Sequence, residues 1–150
     1  MKIVIDCDDA AIDLKKTIAD HLTKAGVEVT DLDYLGKNNG AFYPEIGYNL
    51  ALKIQDGSFD RGILICGTGM GMSIVANKFK GVSAAVCENT FAAEKARAIN
   101  DANILTLGGW ISAPEVGIAI ADTFLNTEFT QNLEDWRAEN LKKAKVRVAE

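Results

Sequence analysis

Histidine is nearly missing from this chain, because His21 is the only one among its 150 residues. This scarcity excludes a histidine pair, a Ser-His-Asp triad and a multi-histidine metal site from its chemistry. Cysteine is scarce as well, and Cys7, Cys66 and Cys87 are odd in number and widely spaced. They favour neither a disulfide framework nor a zinc knuckle.

The chain also lacks long apolar runs and an excess of positive charge. No segment approaches the about 20 apolar residues that cross a bilayer, so we expect no membrane partner. Residues 1–6 are too short and too soon acidic for a signal peptide, which predicts a cytoplasmic protein. The net charge of −5 argues against a general nucleic-acid binder. The length and the 48% hydrophobic content suit one domain with an adequate core.

Short apolar runs alternate with segments of helical spacing along most of the chain. Five strands are predicted, at residues 1–7, 27–32, 62–65, 82–87 and 103–107. Between them, Leu14, Ile18 and Leu22 share one helical face, Pro44 begins a second helix, and His21 is predicted to be a helix surface residue. This order predicts a Rossmann-like, three-layer α/β/α fold with a five-stranded parallel sheet and its crevice at the strands' carboxyl ends.

The sequence also predicts one loop, one helix cap and one domain boundary. Residues 33–43 are expected to form a loop, and Ser112 with Glu115 has the spacing of a capping box. Residues 1–130 are assigned to the α/β domain and residues 131–150 to a helical tail. The tail has an apolar seam at Leu133, Trp136 and Leu141, which favours packing on a second subunit over a solvated terminal helix.

The most informative stretch is residues 61–78, RGILICGTGMGMSIVANK. An apolar strand ends at Cys66, Gly67, Gly69 and Gly71 follow, and a helix is expected from Met72. Backbone N–H groups of the loop and of the helix amino end would form an anion cradle beside the thiol and favour the thiolate. This arrangement suits an enzyme that removes a proton from carbon and holds the resulting enediolate.

Other loops fit these residues less well. A Walker loop needs a lysine that is absent before Lys78, and a cysteine phosphatase loop needs an arginine where Met72 stands. A dinucleotide fingerprint that uses Gly67, Gly69 and Glu88 remains a weak alternative, because its third glycine is displaced. A tight turn with an inert, buried cysteine also remains open.

Residues 63–73, ILICGTGMGMS, followed by Ala76-Asn77-Lys78, closely resemble the ribose-5-phosphate isomerase B family, which includes the galactose-6-phosphate isomerase subunits. The match extends to Asp8, Tyr43-Pro44, residues 100–103 and Arg137. It implies a cofactor-free aldose–ketose isomerase of small phosphorylated sugars. It also implies a homodimer, or a dimer of dimers, whose sites use both subunits.

The resemblance implies specific roles. Cys66 would be the base, Thr68 would hydrogen-bond near its sulfur, and Arg137 would bind phosphate. The remaining substrate-binding positions are Asp8, Asp9, Tyr43, Gly67, Gly69, Met70, Gly71, Ser73 and Asn100.

This chain departs from the family at four positions. Asp9 and Ile99 replace histidines, and Trp110 and Leu133 replace arginines that bind phosphate, so Arg97 or a tail lysine is a candidate replacement. Since Ile99 cannot donate a proton to a ring oxygen, we expect a small or open-chain sugar phosphate, a tetrose or tetrulose phosphate rather than a pentose phosphate. A non-catalytic or half-competent subunit that needs a paralogous partner is the alternative.

Overall fold

The computed structural model describes residues 1–38 and 40–149, and of residues 146–149 it describes the backbone alone. Asn39, inside the predicted loop, and Glu150, at the end of the predicted tail, lie outside the described residues. Five strands form one parallel sheet in the order β2-β1-β3-β5-β4. The strands are β1 (Lys2–Cys7), β2 (Glu28–Asp31), β3 (Arg61–Cys66), β4 (Ala84–Val86) and β5 (Ile104–Gly108).

Helices cover both faces of the sheet. They are α1 (Ile12–Lys24), α2 (Tyr34–Lys37), α3 (Tyr43–Gln55), α4 (Met70–Ala76), α5 (Thr90–Ala98), α6 (Pro114–Asn126) and α7 (Asp135–Ala149). Helices α1, α5 and α6 bury apolar residues such as Leu14, Ala93 and Phe124 against one face. Helices α3 and α4 bury Leu50 and Met72 against the other. The predicted three-layer α/β/α fold is therefore confirmed.

The strand order places the functional crevice. Strand β1 pairs with β2 on one side and with β3 on the other, so the direction of winding reverses between β1 and β3. In open parallel sheets, ligands bind at the carboxyl ends of the strands where this reversal occurs. Cys66 ends β3, and Asp8 follows β1 directly.

Some local predictions were wrong. Helix α4 begins at Met70 rather than Met72, because Gly69 adopts a left-handed φ of 80° and turns the chain before the expected position. The predicted loop 33–43 contains α2. The Ser112–Glu115 capping box is not formed, since Ala113 is the residue before α6. A carboxylate instead caps α3, where Glu45 accepts the N–H of Phe42 at 3.2 Å.

Among the described residues, no helix is long and apolar enough to cross a membrane. His21 lies near the end of α1, as a half-exposed residue, and its Nε2 is 2.9 Å from the Asp122 carboxylate of α6. The predicted surface position is confirmed. Because α1 starts at the carboxyl edge of the sheet, His21 lies toward the opposite edge from Cys66.

Candidate active site

The Cys66 thiol is held by the glycine loop that follows it. The side chain is buried, with 5% of the residue exposed, and Sγ accepts the N–H of Gly69 at 3.1 Å. A β-carbon on Gly69 would lie 2.9 Å from the backbone of Leu107, in addition to the left-handed φ. Glycine at this position therefore lets the chain turn against β5 and aim a donor at the sulfur.

The loop is fastened to the residues that follow β5. Gly109 donates its N–H to the Cys66 carbonyl at 2.7 Å, and Trp110 donates to the Gly67 carbonyl at 3.0 Å. These bonds continue the pairing of β3 with β5 beyond its last residue pair. The peptide groups around the thiol are thus fixed by the sheet rather than by the loop itself.

Two aromatic rings lie on the loop. A β-carbon on Gly67 would lie 2.7 Å from the ring of Trp110, and one on Gly71 would lie 2.7 Å from the ring of Tyr43. Trp110 is 77% exposed, so its ring covers Gly67 with one face and leaves the other toward solvent. The rings therefore lie against the first and the last glycine of the loop that follows Cys66. In the sequence, Trp110 stands where the family has an arginine, and nothing there predicted its contact with Gly67.

The predicted carboxylates follow β1, next to the end of β3. Asp8 donates its N–H to the Ile65 carbonyl at 3.1 Å, and its side chain accepts the N–H of Ala10 at 3.1 Å. Burial raises the pKa of Asp8, and the charge of Asp9 raises it further. Asp9 itself is exposed on the same turn. The structure therefore brings both carboxylates to the strand end beside Cys66.

The two predicted hydroxyl residues after Cys66, Thr68 and Ser73, have different hydrogen-bond partners. Thr68 is half-buried, and its Oγ1 accepts the N–H of Met70, an exposed residue, at 3.3 Å. Ser73 lies one turn into α4 and donates its hydroxyl to the Ala84 carbonyl at 3.3 Å. That bond fastens α4 to β4, so the hydroxyl of Ser73 has a structural partner.

Asn100 and Ile99 lie at the other edge of the sheet. Both come between α5 and β5, before the level at which Ile104 pairs with Gly62, whereas Cys66 pairs with Gly108. Four strand residues of about 3.3 Å each separate these levels, about 13 Å in total. Asn100 is therefore not brought to the Cys66 of its own chain.

Arg137 is carried by α7. Its Nε lies 3.5 Å from Glu134, and its guanidinium lies 5.3 Å from the centre of the Trp136 ring. Toward the end of α7, Lys145 contacts the Asp101 carboxylate, which follows Asn100 at the amino edge of the sheet. The tail helix is thus attached at the edge opposite Cys66.

Arg97, a candidate for holding an anion, serves the interior instead. It is 2% exposed and donates to the Asp101 carboxylate at 2.8 Å and to the carbonyls of Ala102 and Thr127. A guanidinium with these partners is part of the core. Glu88 also lies far from a dinucleotide position, because β5 separates β4 from β3.

Sequence reasoning missed Asp6, a fully buried carboxylate at the end of β1. It interrupts an otherwise apolar strand, which was the available signal.

A buried thiol with a backbone donor, set beside carboxylates at the reversal point of a parallel sheet, is an arrangement that can carry out proton transfer on a small substrate. A sequence model of the ribose/galactose isomerase family matches residues 3–141. The chain belongs to this family and is a sugar isomerase.

Named relatives refine this assignment. The chain is similar to a 4-deoxy-4-sulfo-D-erythrose isomerase of Clostridium sp. strain MSTE9, with 55% identity over 148 residues, 99% of this chain and 93% of that protein. It is also similar to a D-erythrulose-4-phosphate isomerase of Pectobacterium atrosepticum, with 46% identity over 86% of this chain and 85% of that protein. The solved ribose-5-phosphate isomerase B of Clostridium thermocellum superposes with a TM-score of 0.84 and 42% identity, covering 98% and 97% of the two chains.

Proposed function

We propose that this enzyme interconverts a four-carbon aldose and its 2-ketose, with an anionic group on C4 of the sugar and Cys66 as the base. The observation that carries the proposal is the 3.1 Å hydrogen bond from the Gly69 N–H to the Cys66 sulfur. A donor aimed at sulfur stabilises the negative charge that a thiol base must carry.

The proposed reaction moves one proton between adjacent carbons. The Cys66 thiolate takes the proton from C2 of the aldose, and the electron pair of that C–H bond forms the enediolate. The thiol then returns the proton to C1, while a proton passes from the C2 oxygen to the C1 oxygen. Backbone N–H groups of the loop 67–71 other than those of Gly69 and Met70, which donate to Cys66 and Thr68, would stabilise the enediolate oxygen, and Asp8 would bind a substrate hydroxyl.

The surroundings of Cys66 support a four-carbon substrate. A sugar with a charged group on C4 has no C4 hydroxyl with which to close a furanose ring, so it needs no acid for ring opening. The sole imidazole of the chain, on His21, lies toward the opposite sheet edge. The rings of Trp110 and Tyr43 also lie against the glycine loop beside Cys66. The names of the Clostridium and Pectobacterium relatives agree with this length.

Of the two C4 anions that those names carry, sulfonate has the stronger support. The similarity to the sulfo-erythrose isomerase extends over 99% of the chain, through the tail, whereas the similarity to the erythrulose-phosphate isomerase covers 86%. Segments 8–11, 66–73 and 107–112, which border Cys66, contain two aspartates and no lysine, arginine or histidine. A phosphate ester carries a charge of about −1.5 to −2 at neutral pH, while a sulfonate carries a single negative charge. Segments that carry negative charge and no cation disfavour a dianion more strongly than a monoanion. The four-carbon sugar phosphate is the second candidate.

We further propose a homodimer in which the partner supplies Asn100 and Arg137. Both residues lie away from Cys66 in their own chain, so direct contact with one substrate requires a second copy. The loop surface is apolar and exposed at Phe42, Met70, Ile74 and Trp110, and Trp136 on the tail helix is exposed as well.

The three free cysteines support the predicted cytoplasmic location, since a reducing compartment keeps thiols unpaired.

The activity test uses the purified chain with 4-deoxy-4-sulfo-erythrose, erythrulose 4-phosphate and ribose 5-phosphate. We expect turnover, with deuterium from heavy water entering the carbon next to the carbonyl. The kcat/KM should be highest for the sulfo sugar and lowest for ribose 5-phosphate. Cys66→Ala should lower kcat by about 10²–10⁴, while the buried Cys87→Ala serves as the matched control. Full activity of Cys66→Ala would refute the base, and a preference for ribose 5-phosphate would refute the four-carbon assignment.

A further inference from the structure

Asp6 is a charged residue in a place where the sheet needs none. Its side chain is 0% exposed, and its strand neighbours Val4 and Leu64 are buried apolar residues. Each carboxylate oxygen accepts a backbone N–H, Oδ1 from Cys7 at 2.9 Å and Oδ2 from Tyr34 at 3.2 Å. Both oxygens of this buried carboxylate therefore have a backbone donor in place of water, so its hydrogen-bonding needs are met by the fold.

Among the side chains that the structure describes, Lys15 of α1 is the cation that pairs with this carboxylate. The Lys15 Nζ lies 3.9 Å from Asp6, 2.9 Å from Asp31 and 4.0 Å from Asp33. Among the described side chains, the charged and titratable groups that act on Asp6 are Lys15, Asp31 and the thiol of Cys7, and Asp33 contacts the same lysine. Burial raises the pKa of Asp6 to about 6, although the backbone donors and Lys15 act in the other direction.

These contacts join the segments that border the crevice. Asp6 precedes the predicted substrate-binding Asp8 by two residues, and it pairs in register with Leu64, two residues before Cys66. Lys15 ties β1 to α1, and therefore limits movement of the turn 8–11 between them. Tyr34 is the first residue of α2, from which the chain leads to Tyr43 on the glycine loop.

An ionised carboxylate in this position costs folding free energy, because burial penalises the charge. An apolar residue would avoid that cost but could not hold the Tyr34 amide or attract Lys15. Groups that lower stability in this way are often retained where function requires a particular arrangement.

We propose that Asp6 is a positioning residue of the isomerase, whose ionised carboxylate, together with Lys15, holds the turn 8–11 and the start of α2 in register with Cys66. Asp6 touches no substrate in this proposal and acts through Asp8 and Tyr43. The inference rests on the proposed function for its activity assay, and a second assay needs no substrate.

The test compares Asp6→Asn, Lys15→Met and the matched control Asp20→Asn, which removes an exposed charge from α1. In Asp6→Asn we expect kcat/KM to fall about tenfold at pH 8, and the acidic limb of the wild-type profile near pH 6 to disappear. Amide hydrogen exchange of residues 8–11 and 34–37 should become faster in Asp6→Asn and in Lys15→Met, and stay unchanged in Asp20→Asn.

Unchanged amide exchange in both Asp6→Asn and Lys15→Met would overturn the proposal. An Asp6→Asn variant with unchanged kcat/KM and with the acidic limb of its pH profile retained would also overturn it. If Asp6→Asn does not fold, Lys15→Met decides by the same exchange measurement. Absence of wild-type turnover on both four-carbon sugars would refute the proposed function instead, and the exchange result would then decide the role of Asp6.

Discussion

The indole ring of Trp110 lies on Gly67, so close that a β-carbon there would be 2.7 Å from the ring. The contact partner is an exposed side chain, which can move. The neighbouring Gly69 differs, because its β-carbon would meet the Leu107 backbone at 2.9 Å and its φ is 80°. The same substitution at two glycines of one loop should therefore have different consequences.

We expect Gly67→Ala to fold with a stability loss below about 1.5 kcal/mol, since Trp110 can swing away. Gly69→Ala should lose about 2 kcal/mol or more, because backbone strain adds to the clash. Urea unfolding measures both values. Trp110 fluorescence, read in a Trp136→Phe background, should change in Gly67→Ala. Equal losses for the two variants would contradict the assigned contacts.

The three cysteines should differ in reactivity. Burial raises the pKa of Cys7 to about 12 and that of Cys87 to about 11, so both remain thiols at pH 8. Iodoacetamide should therefore modify Cys66 first, and substrate should protect it. Peptide mass spectrometry over time measures the order. Modification of Cys7 or Cys87 ahead of Cys66 in the folded protein would speak against the proposed base.

The buried Asp6 should make stability depend on pH. Its pKa of about 6 in the folded state exceeds the ordinary 3.8, so the folded state holds this proton more tightly than the unfolded chain. The resulting stabilisation is fully present below the unfolded pKa of 3.8 and is lost as pH rises through about 6. The difference of about two pKa units corresponds to about 3 kcal/mol.

We therefore expect the free energy of unfolding of the wild type, relative to Asp6→Asn, to fall by about 2–3 kcal/mol between pH 4 and pH 8. Denaturant unfolding at several pH values measures the difference, and subtraction of the variant removes the contributions of other carboxylates. A constant difference across this range would show that Asp6 does not titrate there.

Substitutions of Arg97 and Arg137 should distinguish a structural arginine from a substrate-binding one. Arg97→Met leaves Asp101 and two carbonyls without their buried donor, so we expect a stability loss of about 3–5 kcal/mol. Arg137→Ala should change stability by less than about 0.5 kcal/mol, because its ion pair with Glu134 is exposed. Its KM for the anionic sugar should nevertheless rise, because the proposed dimer places it against the substrate. A normal KM in Arg137→Ala would remove the arginine from the site.

The sequence determined the layers and the position of the proposed base. Apolar runs of strand length alternate with helical faces, and local periodicity is sufficient to predict that order. The change from strand to glycines at Cys66 also placed the thiol at a carboxyl end, because one short segment contains both signals. Where local chemistry was ambiguous, the prediction failed, as at the start of α4 and at the cap of α6.

Tertiary structure decided which residues meet. The ring of Trp110 on Gly67, the amide of Tyr34 on Asp6 and the separation of Asn100 from Cys66 join or divide positions far apart in the chain. Such contacts depend on strand order and register, which sequence periodicity does not encode. The pKa of Asp6 was undetermined for the same reason, since burial and its distance from Lys15 exist only after β1, β2 and α1 have packed together.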